Sequence, residues 1–337
     1  MDPLCGRDPT PGTEGSETKA GRRLLVALFV AAAACTATAA EPPQRAFTPS
    51  PIASITLVAV GNICGESTVA CESTSDRAAS LDPDVVMVLG DNAYEDGLLS
   101  EYRNRYGGGT RPQERWGRPS IKEITLPAYG NHDCNDAQRR PCAGAVSYFG
   151  ADPAFGSDIL HTVGSYSTVR GGWLVVVLNS AGVNGSGYAT SEEIASQNEI
   201  LRGILETDDH TCEIVAWHHP LFSSGREGSD RVFVAPWFET AYAAGVDVVL
   251  TAHHHQYERF LPQDPEGVPA TSGVTQFVVG TGGTPLEDFA EPVANSAVRV
   301  SQTGVLAMEL RDDDTYSWAF VDDETTGVFD TGTNVCH

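Results

Sequence analysis

Five short segments of this chain each end in residues that can bind a metal or move a proton. VAVGN ends in Asn62, and VMVLGDNAY delivers Asp91 and Tyr94. LPAYGNHD delivers Asn131, His132 and Asp133, IVAWHHP delivers His218 and His219, and LTAHHH delivers His253, His254 and His255. Carboxylate, imidazole, phenol and amide oxygen together make a donor set suited to first-row transition metals. A histidine beside such a centre can also give a proton to a departing oxygen. Each segment has a plainer reading on its own. Gly-Asn and Asp-Asn are ordinary turn pairs, and a histidine at a strand end often only bonds a carbonyl. A three-histidine run could be a purification remnant, but a tag sits at a terminus and this run lies inside a patterned segment. Five such coincidences along one edge of one sheet point instead to a site.

The elements before these residues are what bring them together. ITLVAV (55–60), DVVMVLG (84–90), ITLPAYG (124–130), WLVVVLN (173–179), CEIVAWH (212–218), VDVVLTAH (246–253), TQFVVG (275–280), VLAMELR (305–311) and YSWAFV (316–321) read as strands. SEEIASQNEILRGIL (191–205) sets Ile194, Leu201 and Leu205 on one helical face, with Ser191 as N-cap and two glutamates in the first turn. FVAPWFETAYAAG (233–245) reads as a helix closed by a C-cap glycine. Strands alternating with helices give an α/β fold. The last strands come without helices, so a mixed sheet is expected. In such folds ligands bind beyond the carboxyl ends of the strands, where all five segments end. A linker over 41–53 is expected to lead into one domain over 54–337.

Composition narrows the partners. The chain has 337 residues, 41% of them hydrophobic, and a formal charge of −24. Lys19 and Lys122 are its only lysines. That acidity argues against nucleic acid and anionic membrane as partners. It allows an anionic substrate, because a bound metal can reverse the local sign. Residues 1–40 read as an export signal: Arg22-Arg23, the apolar run LLVALFVAAAA, then CTATAA with cleavage near Ala39 or Ala40. The apolar run is too short to span a bilayer, and Cys35 is an alternative lipid-attachment site. A secreted or cell-envelope location is expected. Six cysteines follow the signal: Cys64, Cys71, Cys134, Cys142, Cys212 and Cys336. An even number in an exported protein suggests disulfides, for which 15 connectivities exist. Short loops favour Cys64–Cys71 and Cys134–Cys142, leaving Cys212–Cys336.

The order GN, GDNAY, GNHD, VAWH, AHHH resembles the calcineurin-like metallophosphoesterases, and within them the purple acid phosphatase branch, which shows GD, GDxxY, GNH[D/E], VxxH and GHxH. WHHPLFSSG, YERF and FVVGTGG are similar to the bacterial secreted members. The resemblance implies a four-layer αββα sandwich, two mixed β-sheets flanked by helices. It implies two metal ions, iron(III) with a divalent zinc, iron or manganese. Asp91 would bridge them. Asn62, Tyr94 as a phenolate, and His255 would complete the first site, and Asn131, His218 and His253 the second. His132 would face the substrate and protonate the leaving oxygen, with Asp133 behind it fixing the ring. His219 would reach the phosphate or serve packing, and His254 fills the variable position. The implied reaction is attack by a metal-bound hydroxide on a small phosphate monoester. No serine or cysteine nucleophile motif argues for a phosphoenzyme. A phosphodiesterase or nucleotidase would use the same core.

Two positions depart from that pattern. Ala252 replaces the glycine of GHxH, a small steric change. Asn62 stands where the first aspartate belongs, so the first site loses one negative charge, on which hard cations depend. A weakened first site is expected, and a metal-poor, non-catalytic ligand-binding relative becomes the competing reading. Cys64 could offer a thiolate there, although a disulfide with Cys71 is its expected use.

Overall fold

The structure, a computed structural model, describes residues 53–65, 68–108, 115–135, 142–150, 158–159, 163–226 and 231–337. The export segment expected over 1–40 lies outside these residues, as does all but the last residue of the expected linker. Ser50–His337 forms one compact unit. No helix among the described residues is long and apolar enough to cross a membrane.

The strands are β1 (Ser54–Val60), β2 (Val85–Leu89), β3 (Thr125–Ala128), β4 (Asp158–Ile159), β5 (Tyr166–Arg170), β6 (Trp173–Val177), β7 (Glu213–Ala216), β8 (Val248–Thr251), β9 (Tyr257–Phe260), β10 (Thr275–Val279), β11 (Ser296–Val300), β12 (Gly304–Arg311), β13 (Thr315–Asp322) and β14 (Val328–Val335). They form two mixed sheets, ordered β14-β13-β12-β1-β2-β3 and β11-β9-β10-β8-β7-β6-β5-β4. β1, β2 and β3 are parallel, as are β6, β7, β8 and β10. The antiparallel strands sit to the outside of each parallel group.

Alternate residues of the second sheet pack in opposite directions, as the two-residue period of a strand requires. Val175, Val177, Ile214, Ala216, Val248 and Leu250 share one core with Leu57, Met87 and Val305 of the first sheet. Leu174, Val176, Val215 and Val249 pack against Ile194, Leu201, Val234 and Trp237 of the helices Ser191–Thr207 and Arg231–Ala244. Both faces are therefore covered, which is why these strands read as unbroken apolar runs. The helix Thr68–Ser80 adds Cys71 and Ala78 to the core shared with the first sheet.

The helix starts one residue earlier than its sequence suggests. Thr190, not Ser191, is the N-cap: its hydroxyl accepts from Glu193 N at 3.2 Å, and Glu193 accepts from Thr190 N at 2.7 Å. This reciprocal pair requires a glutamate three residues after the cap, a spacing that Thr190 has and Ser191 lacks. The helix Arg231–Ala244 ends at Gly245, whose φ of +88° needs no Cβ.

All three disulfides pair as the loop lengths suggest: Cys64–Cys71, Cys134–Cys142 and Cys212–Cys336. Cys64 therefore offers no thiolate to a metal. Beside the third bond, Glu213 and Asp247 crowd together, and Asp247 accepts from the Glu213 and His337 backbone amides at 3.1 Å each. Burial, with the charges of Asp247 and Asp208, pushes the Glu213 carboxyl up to about 8. A carboxyl raised in the folded state favours folding below its unfolded value, and that contribution is lost as pH rises through 8. Glu213→Gln is thus expected to raise the melting temperature near pH 8.5 while leaving it nearly unchanged near pH 4. Parallel melts of both proteins at the two pH values check this.

Candidate metal centre

Asn62, Asp91 and Asn131 follow the parallel strands β1, β2 and β3, while His218 and His253 follow β7 and β8. The two sheets deliver these carboxyl ends to a common place. Asn62, Asp91 and His253 adopt left-handed backbone with φ of 55°, 53° and 68°. That conformation costs a residue with a Cβ roughly 1–2 kcal/mol, and such strain gathers at functional sites. Two glycines give the room. A Cβ on Gly90 would lie 2.6 Å from His218 Nδ1, and one on Gly130 would lie 2.2 Å from Asp91 Oδ1. The Ala252 departure is matched at Gly61, where a Cβ would lie 2.5 Å from that of Ala252.

Three donors, Asn131 Oδ1, His218 Nε2 and His253 Nδ1, lie within 3.3 Å of one another, and Asp91 Oδ2 adjoins His218. Asn131 Oδ1 lies 3.1 Å from both His218 Nε2 and His253 Nδ1. His218 Nε2 lies 3.3 Å from His253 Nδ1 and 3.3 Å from Asp91 Oδ2. A tetrahedral ion with bonds of about 2.05 Å has ligand-to-ligand edges of about 3.3 Å, so the spacing of Asn131, His218 and His253, with Asp91 beside His218, is that of metal ligands. The His218 ring is oriented for it. Its Nδ1 donates to the Leu89 carbonyl at 2.8 Å, which turns Nε2 toward Asp91 Oδ2. Burial, joined by neighbouring histidines, pushes His253 well below its ordinary range and keeps it a neutral ligand.

A second group shares Asp91. Tyr94 Oη lies 3.2 Å from Asp91 Oδ2, 3.5 Å from His255 Nε2 and 2.9 Å from Asn62 Nδ2. His255 Nδ1 donates to the Pro285 carbonyl at 2.8 Å, again turning Nε2 inward. Burial and the Asp91 charge hold the Tyr94 hydroxyl well above its ordinary range, so it is a neutral phenol unless a cation compensates. Burial opposes the Asp91 charge, but His218 with His132 and His253 outweighs it and holds that carboxyl far below its usual range. Donors and spacing fit a metal here too, with one exception. Asn62 turns its amide NH2 inward, while its Oδ1 is buried without a partner.

His132 stands at the open side of these groups. Its backbone N donates to Asp91 Oδ1 at 2.8 Å, and its ring lies 4.3 Å from that of Tyr94. Nδ1 donates to the Glu95 carbonyl at 2.7 Å, with Glu95 Oε2 at 3.6 Å. The expected Asp133–His132 pairing does not form. Asp133 instead accepts from Asn92 N, Asn92 Nδ2, Gly130 N and the Tyr102 hydroxyl, at 3.0, 3.0, 2.9 and 2.5 Å. Its carboxylate closes the turn Gly130–Cys134 onto its own backbone, so it points away from the ring. Burial and the Asp91 charge push Asp133 up to about 6. Glu95 and Asn92 are the partners that sequence reasoning missed. A carbonyl acceptor leaves no side-chain signal, whereas GDN followed by GNHD does pair Asn92 with Asp133 in retrospect.

His219 is buried, with Nδ1 2.9 Å from Ser180 Oγ and its ring 4.7 Å from that of Tyr188. Its Nε2 has no hydrogen-bond partner. One nitrogen from each of His218, His219 and His253 falls within a 4.8 Å cluster. His254 is buried too, 3.9 Å from Glu287 Oε2, with its ring 5.3 Å from that of His253.

A model of the calcineurin-like phosphoesterase family matches residues 70–257, a span that takes in every expected metal and catalytic residue except Asn62. A search of curated protein sequences returned no match. Among solved structures, a purple acid phosphatase from yellow lupin (Lupinus luteus) seeds superposes with a TM-score of 0.65 at 17% identity. That match covers 84% of this chain and 54% of the lupin chain, so this chain spans about half the length of the plant protein. The anchor of the inner membrane complex of Plasmodium gives a TM-score of 0.63 at 12% identity, covering 84% and 89%. A dimetal phosphatase from Danio rerio gives 0.54 at 11% identity, covering 84% and 99%.

Proposed function

This chain belongs to the calcineurin-like phosphoesterase family, and from that premise we propose that it is an exported, metal-dependent phosphoesterase acting on small phosphate monoesters. The observation that carries this reading is the position of Asp91. One ionised carboxylate lies between two donor groups, Asn131 with His218 and His253 on one side, Tyr94 with His255 on the other. The nitrogen-rich group suits divalent zinc, iron or manganese, and the phenol-bearing group suits iron(III). Bound there, the metals supply Lewis acidity and an activated water.

The remaining work falls to the chain's own residues. Because the Glu95 carbonyl can only accept, His132 Nδ1 carries a proton, and Nε2 is the atom presented to substrate. A proton carried at Nε2 would pass to the leaving oxygen. His219 presents a buried, unpartnered Nε2 beside His253 and is assigned to a substrate oxygen.

Protein stripped with chelator is expected to lose hydrolysis of an aryl phosphate and to recover it on adding zinc or manganese, with a maximum on the acid side of neutrality. Full activity after complete chelation would overturn the reading. The likeness to an anchor protein and the substitution at Asn62 favour one competing reading, a non-catalytic ligand-binding relative. That reading requires less than one metal per chain and no hydrolysis at any pH.

A further inference from the structure

The amide of Asn62 makes contacts that a cation would otherwise make. Its Nδ2 lies 2.9 Å from Tyr94 Oη, 3.2 Å from the His253 carbonyl and 3.5 Å from Asp91 Oδ2. The carbonyl only accepts, and so does the ionised Asp91 carboxylate. Two of the three neighbours therefore fix the NH2 on this side, since the reversed amide would set oxygen against oxygen. On the far side Oδ1 is buried and accepts no hydrogen bond. The Asn62 backbone is pinned as well: its carbonyl accepts from Thr284 Oγ1 at 2.8 Å and Thr284 N at 3.1 Å, and its N donates to Gly90 O at 3.0 Å. With the amide in place, the Tyr94 hydroxyl accepts from Nδ2 and spends its own proton on Asp91.

We infer that the Asn62 NH2 stands in for the first metal, tying Tyr94 to Asp91, so that the protein holds one tightly bound ion at the Asp91–Asn131–His218–His253 site. A second ion enters only when the amide turns over. This rests on the metal-dependent reading above and sharpens it. To accept a hard cation, the chain must turn the amide and give up its contacts with Tyr94, the His253 carbonyl and Asp91. The resulting donor set is still one negative charge short. Both disfavour the first site, while the Asn131, His218 and His253 donor atoms of the second keep their places. The two sites should therefore differ by more than about 10²-fold in affinity.

Equilibrium dialysis of the chelated full-length protein against zinc, read by elemental analysis, tests this without using activity. Wild type is expected to bind one zinc per chain, and a second only at concentrations more than about 100-fold higher. Asn62→Asp supplies a carboxylate of nearly the same shape and is expected to bind two. Loading Asn62→Asp with iron(III) should produce a visible phenolate-to-metal band that Asn62→Asp combined with Tyr94→Phe lacks, while wild type stays colourless at one equivalent. Two zinc ions bound by wild type with affinities within tenfold would overturn the inference, as would a folded Asn62→Asp that still binds one. The wild-type titration stands even if the variant fails to fold. One tight zinc without hydrolysis would sink the phosphoesterase reading alone; two tight ions with full hydrolysis would sink this inference alone.

Discussion

Asp91→Asn is expected to abolish metal retention and to lower hydrolysis by more than about 10³-fold. Its carboxylate touches both donor groups: Oδ2 lies 3.3 Å from His218 Nε2 and 3.2 Å from Tyr94 Oη, and Oδ1 takes the His132 amide at 2.8 Å. The substitution keeps the shape and removes the charge, which hard and borderline cations require. The fold should survive it. Asp91's charge raises both Asp133 and Tyr94, so its loss relieves two buried groups while depriving His218 of its partner. Metal loss can thus be separated from unfolding by melting curves. Wild type should gain about 2.7 kcal/mol when free metal exceeds its dissociation constant 100-fold, and Asp91→Asn should gain almost nothing. A variant that keeps its metal and a tenth of wild-type activity would show that Asp91 is not shared between the two groups.

The strands buried on both faces were the plainest in sequence, and the half-exposed β12 and β13 were legible too. β2 is VVMVL, buried throughout, and β6 and β8 are the same kind of run. β9 is hidden because its sequence, YERF, has a glutamate in mid-strand. Glu258 is buried there only because Ser224 and Ser296 donate to it, at 2.7 Å from Ser224 N and 2.5 Å from Ser296 Oγ. Those partners are distant in sequence, so no local pattern reports them. β14 escapes for a different reason. It lies at a sheet edge with mostly exposed residues, Val328 and Val335 among them, and so lacks the apolar alternation that marks a half-buried strand. The short helix Thr68–Ser80 carries few apolar residues and gives almost no periodic signal.

The site divides along similar lines. Residue type and strand-end position suffice to single out Asp91, Asn131, His218 and His253, because ligands bind beyond the carboxyl ends of parallel strands; that β2 and β3 of one sheet meet β7 and β8 of the other depends on how the two sheets pack, which no local pattern reports. Orientation is not legible, because it depends on hydrogen bonds to backbone. Leu89, Glu95 and Pro285 each fix a histidine ring through a carbonyl that any residue would offer. The same cause explains Asp133. Adjacency to His132 suggests a pair, but Asn92, the Gly130 amide and the Tyr102 hydroxyl capture the carboxylate instead.

That correction sharpens what His132 should do. His132→Ala is expected to lower kcat by roughly 10²–10⁴-fold while metal content and the metal-dependent rise in melting temperature stay at wild-type values. The side chain reaches no metal donor by hydrogen bond; it rests against the Tyr94 ring and hangs from the Glu95 carbonyl. Its removal therefore leaves the donor geometry intact, and the His132 backbone bond to Asp91 persists in alanine. A role limited to the leaving group makes a further distinction. Substrates whose leaving oxygen needs no proton, such as activated aryl phosphates, should lose far less rate than alkyl phosphates. Comparing the variant on one ester of each kind, with elemental analysis on the same samples, decides the matter. An equal loss on both esters would assign His132 to binding the phosphate rather than to proton transfer, and loss of metal would place it among the ligands.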